Sequence, residues 1–389
     1  MAMVQTATGP IAEERLGFTL SHEHVAVMFG AGLREAFPFL FDWEATREKA
    51  TRHLKEAKAG GVDSIIDLTT IDLGRDVEMF ARVSHDSGVN IVVATGIWRD
   101  IPRLFWDADP DFIASVFIHE IEHGIANTGI KPGAIKVAND AEGVTDAGER
   151  VLRGAARAAK ATGTPISTHH WAPLEVGRRQ VAIFLEEDVP MHLVCIGHSA
   201  DTTDVAYLEQ LLATGCYLSM DRYPGAGNRP NWQQRNATVK ALVDKGYAPR
   251  LMLGHDYGVR PVIHGMTADP DPDTHPTRYL FLTNTAIPAL RADGAEEQIR
   301  QMTVDARATS SPAGRARGWG LGDRGWGGVR RPNFRRPPER GGSDRGMPPR
   351  SHLQSWREFP PAGRRLERTS RPPDGASARP PGRPQPPSR

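Results

Sequence analysis

Across 389 residues no apolar run comes near the ~18 consecutive positions of a membrane helix, so no helical span and no membrane partner is expected. Cysteine is nearly absent. Cys195 and Cys216 stand apart in apolar runs, which excludes a disulfide framework and offers no zinc spacing. So few cysteines suit a reducing compartment. The amino terminus has no basic segment followed by an apolar one, so the expectation is a cytoplasmic protein without a secretory signal. No glycine-rich phosphate turn follows the first strand-like run, which argues against an open, doubly wound sheet. Lysine is missing altogether after residue 305.

That last absence divides the chain. Residues 306–389 hold 19 arginines, 15 prolines and six acidic residues, a formal charge of +13. The other 29 basic and 41 acidic residues give 1–305 a charge of −12, so the net +1 conceals two unlike pieces.

What 1–305 does contain is alternation. A hairpin with Gly9-Pro10 as its turn leads into eight strand-like runs, at 19–24, 62–68, 89–95, 133–138, 165–169, 192–198, 215–221 and 250–256. Between them, 44–58, 76–87, 111–127, 146–161, 174–187, 204–213 and 232–245 carry apolar residues at helical spacing, and 277–291 and 296–304 read as two further helices. Eight short apolar strands alternating with helices over ~250 residues is the pattern of a closed α/β barrel, the (β/α)8 or TIM barrel, whose active site lies at the carboxyl ends of the strands.

The strand ends are rich in ligand-type side chains. Strand one carries His22 and His24, two residues apart and so expected on one face. Strand four carries Lys136 between Ile135 and Val137, where an unpaired ammonium is costly. Strands five, six and eight end in His169, His198 and Asp256. Four imidazoles, an amine and a carboxylate on one rim form a candidate metal site. His170, beside His169, is expected to face the other side of its strand in a structural role.

These segments resemble the phosphotriesterase family of amidohydrolase-type barrels, which includes the phosphotriesterase-like lactonases. The resemblance rests on LGFTLSHEHV (16–25), IDLGRD (71–76), ATGIW (94–98), GIKPGAIKVA (129–138), ISTHHWA (166–172), VCIGHSADTTDVAYL (194–208), MDRY (220–223) and LGHDY (253–257). It implies a two-metal hydrolase. Residues matching His22, His24 and Asp256 hold the more buried ion, those matching His169 and His198 the more exposed one. The matching lysine, Lys136, is carboxylated at its side-chain nitrogen and bridges both. A hydroxide shared by the metals attacks a phosphoryl or carbonyl centre, with Asp256 as base. Zinc is the default for such a histidine-rich site, with cobalt, manganese and iron compatible. The implied substrate is a small-molecule ester, either a lactone or a phosphotriester. Arg222 matches a pocket-lining residue, and Trp98, Trp171 and Tyr223 are placed at the pocket edge. Trp98 stands where the lactonase branch usually has tyrosine, and an indole offers no phenol hydroxyl to a lactone. Dimerisation is common in the family, but nothing in this sequence shows it.

Residues 306–389 do not follow the family pattern, in which a short helix ending in aromatic residues completes the barrel. Their composition is what a GC-rich gene gives when read in a shifted frame. They are expected to be disordered for want of apolar periodicity, to attract polyanions without specific nucleic-acid recognition, and to leave the barrel less stable than its relatives. Two alternatives to an ester hydrolase remain: another amidohydrolase-type hydrolysis, and an inactive barrel carrying a polyanion-binding tail.

Overall fold

The computed structural model describes residues 2–28, 30, 32–225, 227–265 and 277–305. The expectations for 306–389 lie outside these residues.

Eight strands form the barrel: β1 (Thr19–Glu23), β2 (Ser64–Asp67), β3 (Asn90–Val92 continuing as Ala94–Gly96), β4 (Ala134–Ala138), β5 (Ile166–His169), β6 (Val194–Ile196), β7 (Tyr217–Met220) and β8 (Leu251–Leu253). Each pairs in parallel with the next. Closure between β8 and β1 is made just beyond the strands: the Asp256 amide donates to the His22 carbonyl at 2.9 Å and the His24 amide to the Tyr257 carbonyl at 2.8 Å.

The outer ring is α1 (Trp43–Ala59), α2 (Val77–Ser87), α3 (Pro110–His123), α4 (Asp146–Thr162), α5 (Gly177–Glu186), α6 (Val205–Leu212), α7 (Trp232–Asp244) and α8 (Ile287–Ala292). Six of these helices start on a side-chain cap from Asp42, Asp76, Asp109, Thr145, Asp204 or Asn231, each accepting an amide proton of the first turn. Strand residues alternate between the two cores. Ile65, Ile135 and Leu218 pack outward against the helices, while Ile66, Ala134, Cys195, Tyr217 and Met252 fill the barrel. Among the described residues no helix is long and apolar enough to cross a membrane.

The hairpin floors the barrel, with Val4 and Leu16 in the inner cluster and the Ala7 amide donating to the Ile91 carbonyl. Its turn is not Gly9-Pro10. Met3–Thr6 pairs with Gly9–Ala12 so that Thr6 faces Gly9, leaving Ala7 and Thr8 as the two-residue loop. Pro10 sits inside a two-stranded edge ribbon, where its missing N–H is tolerated. The stretch 277–291 is not one helix either. It runs as a 3₁₀ turn (Arg278–Leu280), a π turn (Leu282–Ala286) and then α8, because Pro288 in the first turn of α8 cannot donate and crowds the preceding carbonyl.

Candidate metal centre

β1 does not present its histidines by simple alternation. Leu20 pairs with Ile65 and Glu23 with Asp67, so three steps on β1 match two on β2. This bulge changes the parity of the strand. Leu20 points to the outer core, Ser21 meets Ser219 inside the barrel at 3.1 Å, and His22 and His24 still reach the carboxyl rim. The β3–β4 approach is equally tight. A Cβ on Gly96 would lie 1.9 Å from the Lys136 carbonyl oxygen, so only glycine fits where β3 runs beside the lysine.

The six residues read from the strand ends do come together. Lys136 Nζ lies 3.1 Å from His22 Nε2 and donates to the Thr168 carbonyl at 3.3 Å. Asp256 Oδ1 is 3.1 Å from His24 Nε2 and 3.4 Å from His22 Nε2. The His22 and His198 rings stack at 4.6 Å, and the His198 and His169 rings meet edge to face at 4.4 Å. One ligand atom each from His22, His24 and Asp256 lies within 4.8 Å of the others. The backbone is held in unusual shapes to do this: His198, Arg222 and Asp256 have φ of 60°, 64° and 56°, in the left-handed region that few side chains tolerate.

What orients the rings is a set of acceptors that the strand-end reading passed over. Asp221, fully buried at the exit of β7, lies 2.8 Å from both His22 Nδ1 and His198 Nδ1, and also accepts the His198 amide at 3.1 Å. Thr69 Oγ1 is 2.9 Å from His24 Nδ1. With Nδ1 of His22, His24 and His198 engaged, Nε2 is the nitrogen left to face the centre. His22, His198 and Asp221 also cluster closely enough to suggest a ligand triad, but both contacts to Asp221 are hydrogen bonds to Nδ1, so it orients the rings rather than sharing an ion with them. Asp221 was open to discovery by the rule used for the other strands, since it ends the seventh run. Further out, Glu23 accepts from His255 Nδ1 at 2.7 Å and from the His255 and Tyr257 amides, fastening the exit of β8.

The electrostatics suit cation binding. Burial pushes the Lys136 amine down to about 8 and the His169 imidazole down to about 3, and it holds His198 well below its ordinary value, so near pH 7 these imidazoles keep their lone pairs. Burial alone would raise the Asp256 carboxyl, but His198, His22 and the Arg222 guanidinium facing it bring it well below the carboxylate range. Arg222 Nε donates to Asp256 at 2.9 Å and its Nη1 to Asp201 at 2.7 Å. His169 is the telling member. Neither ring nitrogen has a hydrogen-bond partner although the side chain is buried, and its Nε2 is 3.5 Å from Asp140 Oδ2. A buried imidazole without a hydrogen bond is costly unless something else takes its lone pair. Orphaned nitrogens, inward Nε2 atoms and an anionic carboxylate together fit divalent ions. His170 turns away from the centre, donating from Nδ1 to the Gly197 carbonyl at 2.6 Å.

The pocket residues fare unevenly. Trp98 packs its edge on His169 at 5.8 Å with the Arg99 guanidinium over its face, and Arg222 touches Asp256, so both belong to the site. Tyr223 does not. It is fully buried and its hydroxyl donates to Asn236 Oδ1 of α7 at 2.9 Å, because the residue after the left-handed Arg222 is turned toward the helix layer. Tyr223→Phe is expected to leave KM and kcat within about twofold while costing about 1 kcal/mol of stability, the worth of one buried hydrogen bond. A tenfold rise in KM would return Tyr223 to the pocket.

A (β/α)8 barrel with ligand-type side chains converging at its carboxyl rim belongs to the broad class of barrel enzymes whose sites are built at the strand ends. Within that class the chain belongs to the phosphotriesterase family, whose model matches residues 2–308. It is 42% identical over 317 residues to a phosphotriesterase homology protein of Mycobacterium tuberculosis, covering 78% of this chain and 96% of that protein. It is 35% identical to an aryldialkylphosphatase of Saccharolobus solfataricus, covering 74% of this chain and 92% of the relative. The solved structure of the phosphotriesterase from Mycobacterium tuberculosis superposes with a TM-score of 0.72 at 40% identity, covering 78% of this chain and 96% of that one. More distant similarity, 27% identity, reaches an N-acetyltaurine hydrolase of Rattus norvegicus, covering 65% of this chain and 83% of that protein.

Proposed function

We propose that the chain is a two-metal hydrolase of small-molecule esters, with a phosphotriester or a lactone as substrate. The observation that carries this reading is the buried, hydrogen-bond-free His169 imidazole set against inward-facing His22, His24 and His198. His22, His24 and Asp256 would hold one ion, His169 and His198 the other, and a carboxylated Lys136 would join them. Zinc suits the donor set, and cobalt, manganese and iron remain compatible. Such ions supply an acidified water near neutral pH and a positive charge against the oxygen that gains electron density.

The chain's own residues do the rest. The Lys136 ammonium first gives up one proton; carboxylation then joins the neutral nitrogen to the carbon of carbon dioxide with loss of a second, so that a costly buried cation is replaced by an anion. Asp256 stays anionic beside Arg222, so it ligates firmly and releases at once any proton it accepts, which suits a relay rather than a store. Arg222 aims that carboxylate and is itself held by Asp201, a buried acid that also accepts from Arg235 at 2.8 Å. Trp98 supplies one apolar wall for the departing group.

The test is reactivation of metal-stripped protein with a divalent ion and bicarbonate. Hydrolysis of an aryl dialkyl phosphate and of a lactone should return. At fixed dissolved carbon dioxide the recovery rate should climb as pH rises through about 8 and level off above it, because only the neutral amine reacts. An exposed lysine would give this profile near pH ~10.4. The N-acetyltaurine hydrolase relatives make an N-acyl amide the third substrate to try. Reloaded protein that holds its ions and cleaves neither ester would overturn the ester reading. A recovery rate flat from pH 6 to 10 would overturn the role of Lys136.

A further inference from the structure

We propose a second metal site, outside the barrel mouth, on the last turn of α3. There His119 and His123 stand four residues apart on one exposed face, with their rings stacked at 4.6 Å and 23° between planes. Side chains at i and i+4 are nearest neighbours on a helix, so this spacing lets two imidazoles reach one ion. A centroid separation of 4.6 Å leaves only side-chain torsions to adjust before a nitrogen from each ring meets a shared cation.

The second observation is the tautomer. The His123 Nδ1–H donates to the His119 carbonyl at 3.2 Å. That bond places the proton on Nδ1 and leaves the Nε2 lone pair outward, the arrangement in which ligating histidines are usually braced by a backbone acceptor. Glu122, exposed on the same face, adds negative charge beside the pair.

The local sequence, His119-Glu120-Ile121-Glu122-His123, has the form H-E-x-x-H, in which the glutamate of a metalloprotease serves as base. Here that glutamate is committed elsewhere. Arg75 grips Glu120 through two bonds, at 2.6 and 3.0 Å, and the Thr95 hydroxyl donates to it at 2.5 Å. These contacts turn Glu120 inward against β3, away from the histidine face. The site therefore binds a cation and has no base for hydrolysis. α3 leads into the start of β4, so its last turn lies at the end of the barrel opposite the strand carboxyl ends. Two imidazoles in water favour late first-row divalent ions, copper(II) most strongly and then nickel and zinc.

The experiment uses full-length protein already loaded with zinc, titrated with copper(II) and read by calorimetry and by the electron paramagnetic resonance spectrum. The parent should take up one further equivalent, with a spectrum showing nitrogen ligation. His119→Ala and His123→Ala should each weaken that event at least tenfold while leaving ester hydrolysis unchanged. Both positions are exposed and alanine is the best helix former, so the variants retain the fold. Copper uptake with parent affinity in both variants would place the ion elsewhere and overturn the proposal, as would a parent that takes up none. Because hydrolysis is read separately, failure here leaves the reading of the barrel centre intact.

Discussion

Lys136→Met should strip the centre of its metal and lower ester hydrolysis by about three orders of magnitude, or about 4 kcal/mol of barrier. Methionine keeps the length and most of the volume of lysine but has no nitrogen to carboxylate. In the proposed two-metal centre the carboxylated lysine would be one of two anionic ligands, so without it imidazoles and the single Asp256 carboxylate would be left to offset the charge of the ions. The same substitution should have the opposite effect on the stability of the metal-free fold. The Lys136 amine is pushed down to about 8, so the unfolded chain holds this proton more tightly than the folded one. That penalty is present in full below pH 8, roughly 3 kcal/mol, and is relieved as pH rises from 8 toward the unfolded value near 10.4. At pH 7 the metal-free variant should therefore melt several degrees above the metal-free parent, and the gap should close by pH 10. Elemental analysis and paired melts check both halves. A variant that retains two ions per chain, or a metal-free parent that melts above the variant at pH 7, would contradict this account.

Much of this site was legible because a barrel imposes one rule on many segments. A residue at the carboxyl end of a strand faces the common rim, whichever strand it is, so His22, His24, His169, His198 and Asp256 could be read one by one without knowing how the strands pair. Lys136 stood out for the cost of its burial. What stayed hidden depended on local geometry that spacing does not encode. The bulge between Leu20 and Glu23 reverses strand parity, and the histidines of β1 reach the rim despite it. The left-handed turn at Arg222 sends Tyr223 into the helix layer, while a plain extension of the strand would have left it beside the pocket. Pro288 breaks one expected helix into three turns, one of which leaves the Leu282 amide to donate to His255 Nε2 at 3.1 Å. Asp221 was missed for a different reason. A carboxylate that serves two candidate ligands through their far nitrogens has no signature of its own beyond its place at a strand end.

That place makes Asp221→Ala the second large effect. Asp221 takes three buried donors: Nδ1–H of His22, Nδ1–H of His198 and the His198 amide. Alanine strands all three, and removing one partner from buried charged hydrogen bonds costs roughly 3–5 kcal/mol. It also frees both rings to rotate and to move the proton to Nε2, the nitrogen proposed to ligate. Metal affinity should fall about 10–100-fold, the usual consequence of losing such an orienting partner. Asp221→Asn separates the two effects. The amide keeps the shape and one acceptor oxygen, so most of the stability should survive. Its NH2 group, however, confronts one of the two imidazoles with a donor where an acceptor stood. That ring can satisfy the contact only by accepting at Nδ1, which puts its proton on Nε2. The asparagine variant should therefore fold nearly as well as the parent and yet bind metal about as poorly as the alanine variant. Chelator competition reads the affinity and a denaturant melt at pH 7 reads the fold. If asparagine restored both, Asp221 would matter for packing alone, and the tautomers of His22 and His198 would have to be set by something else.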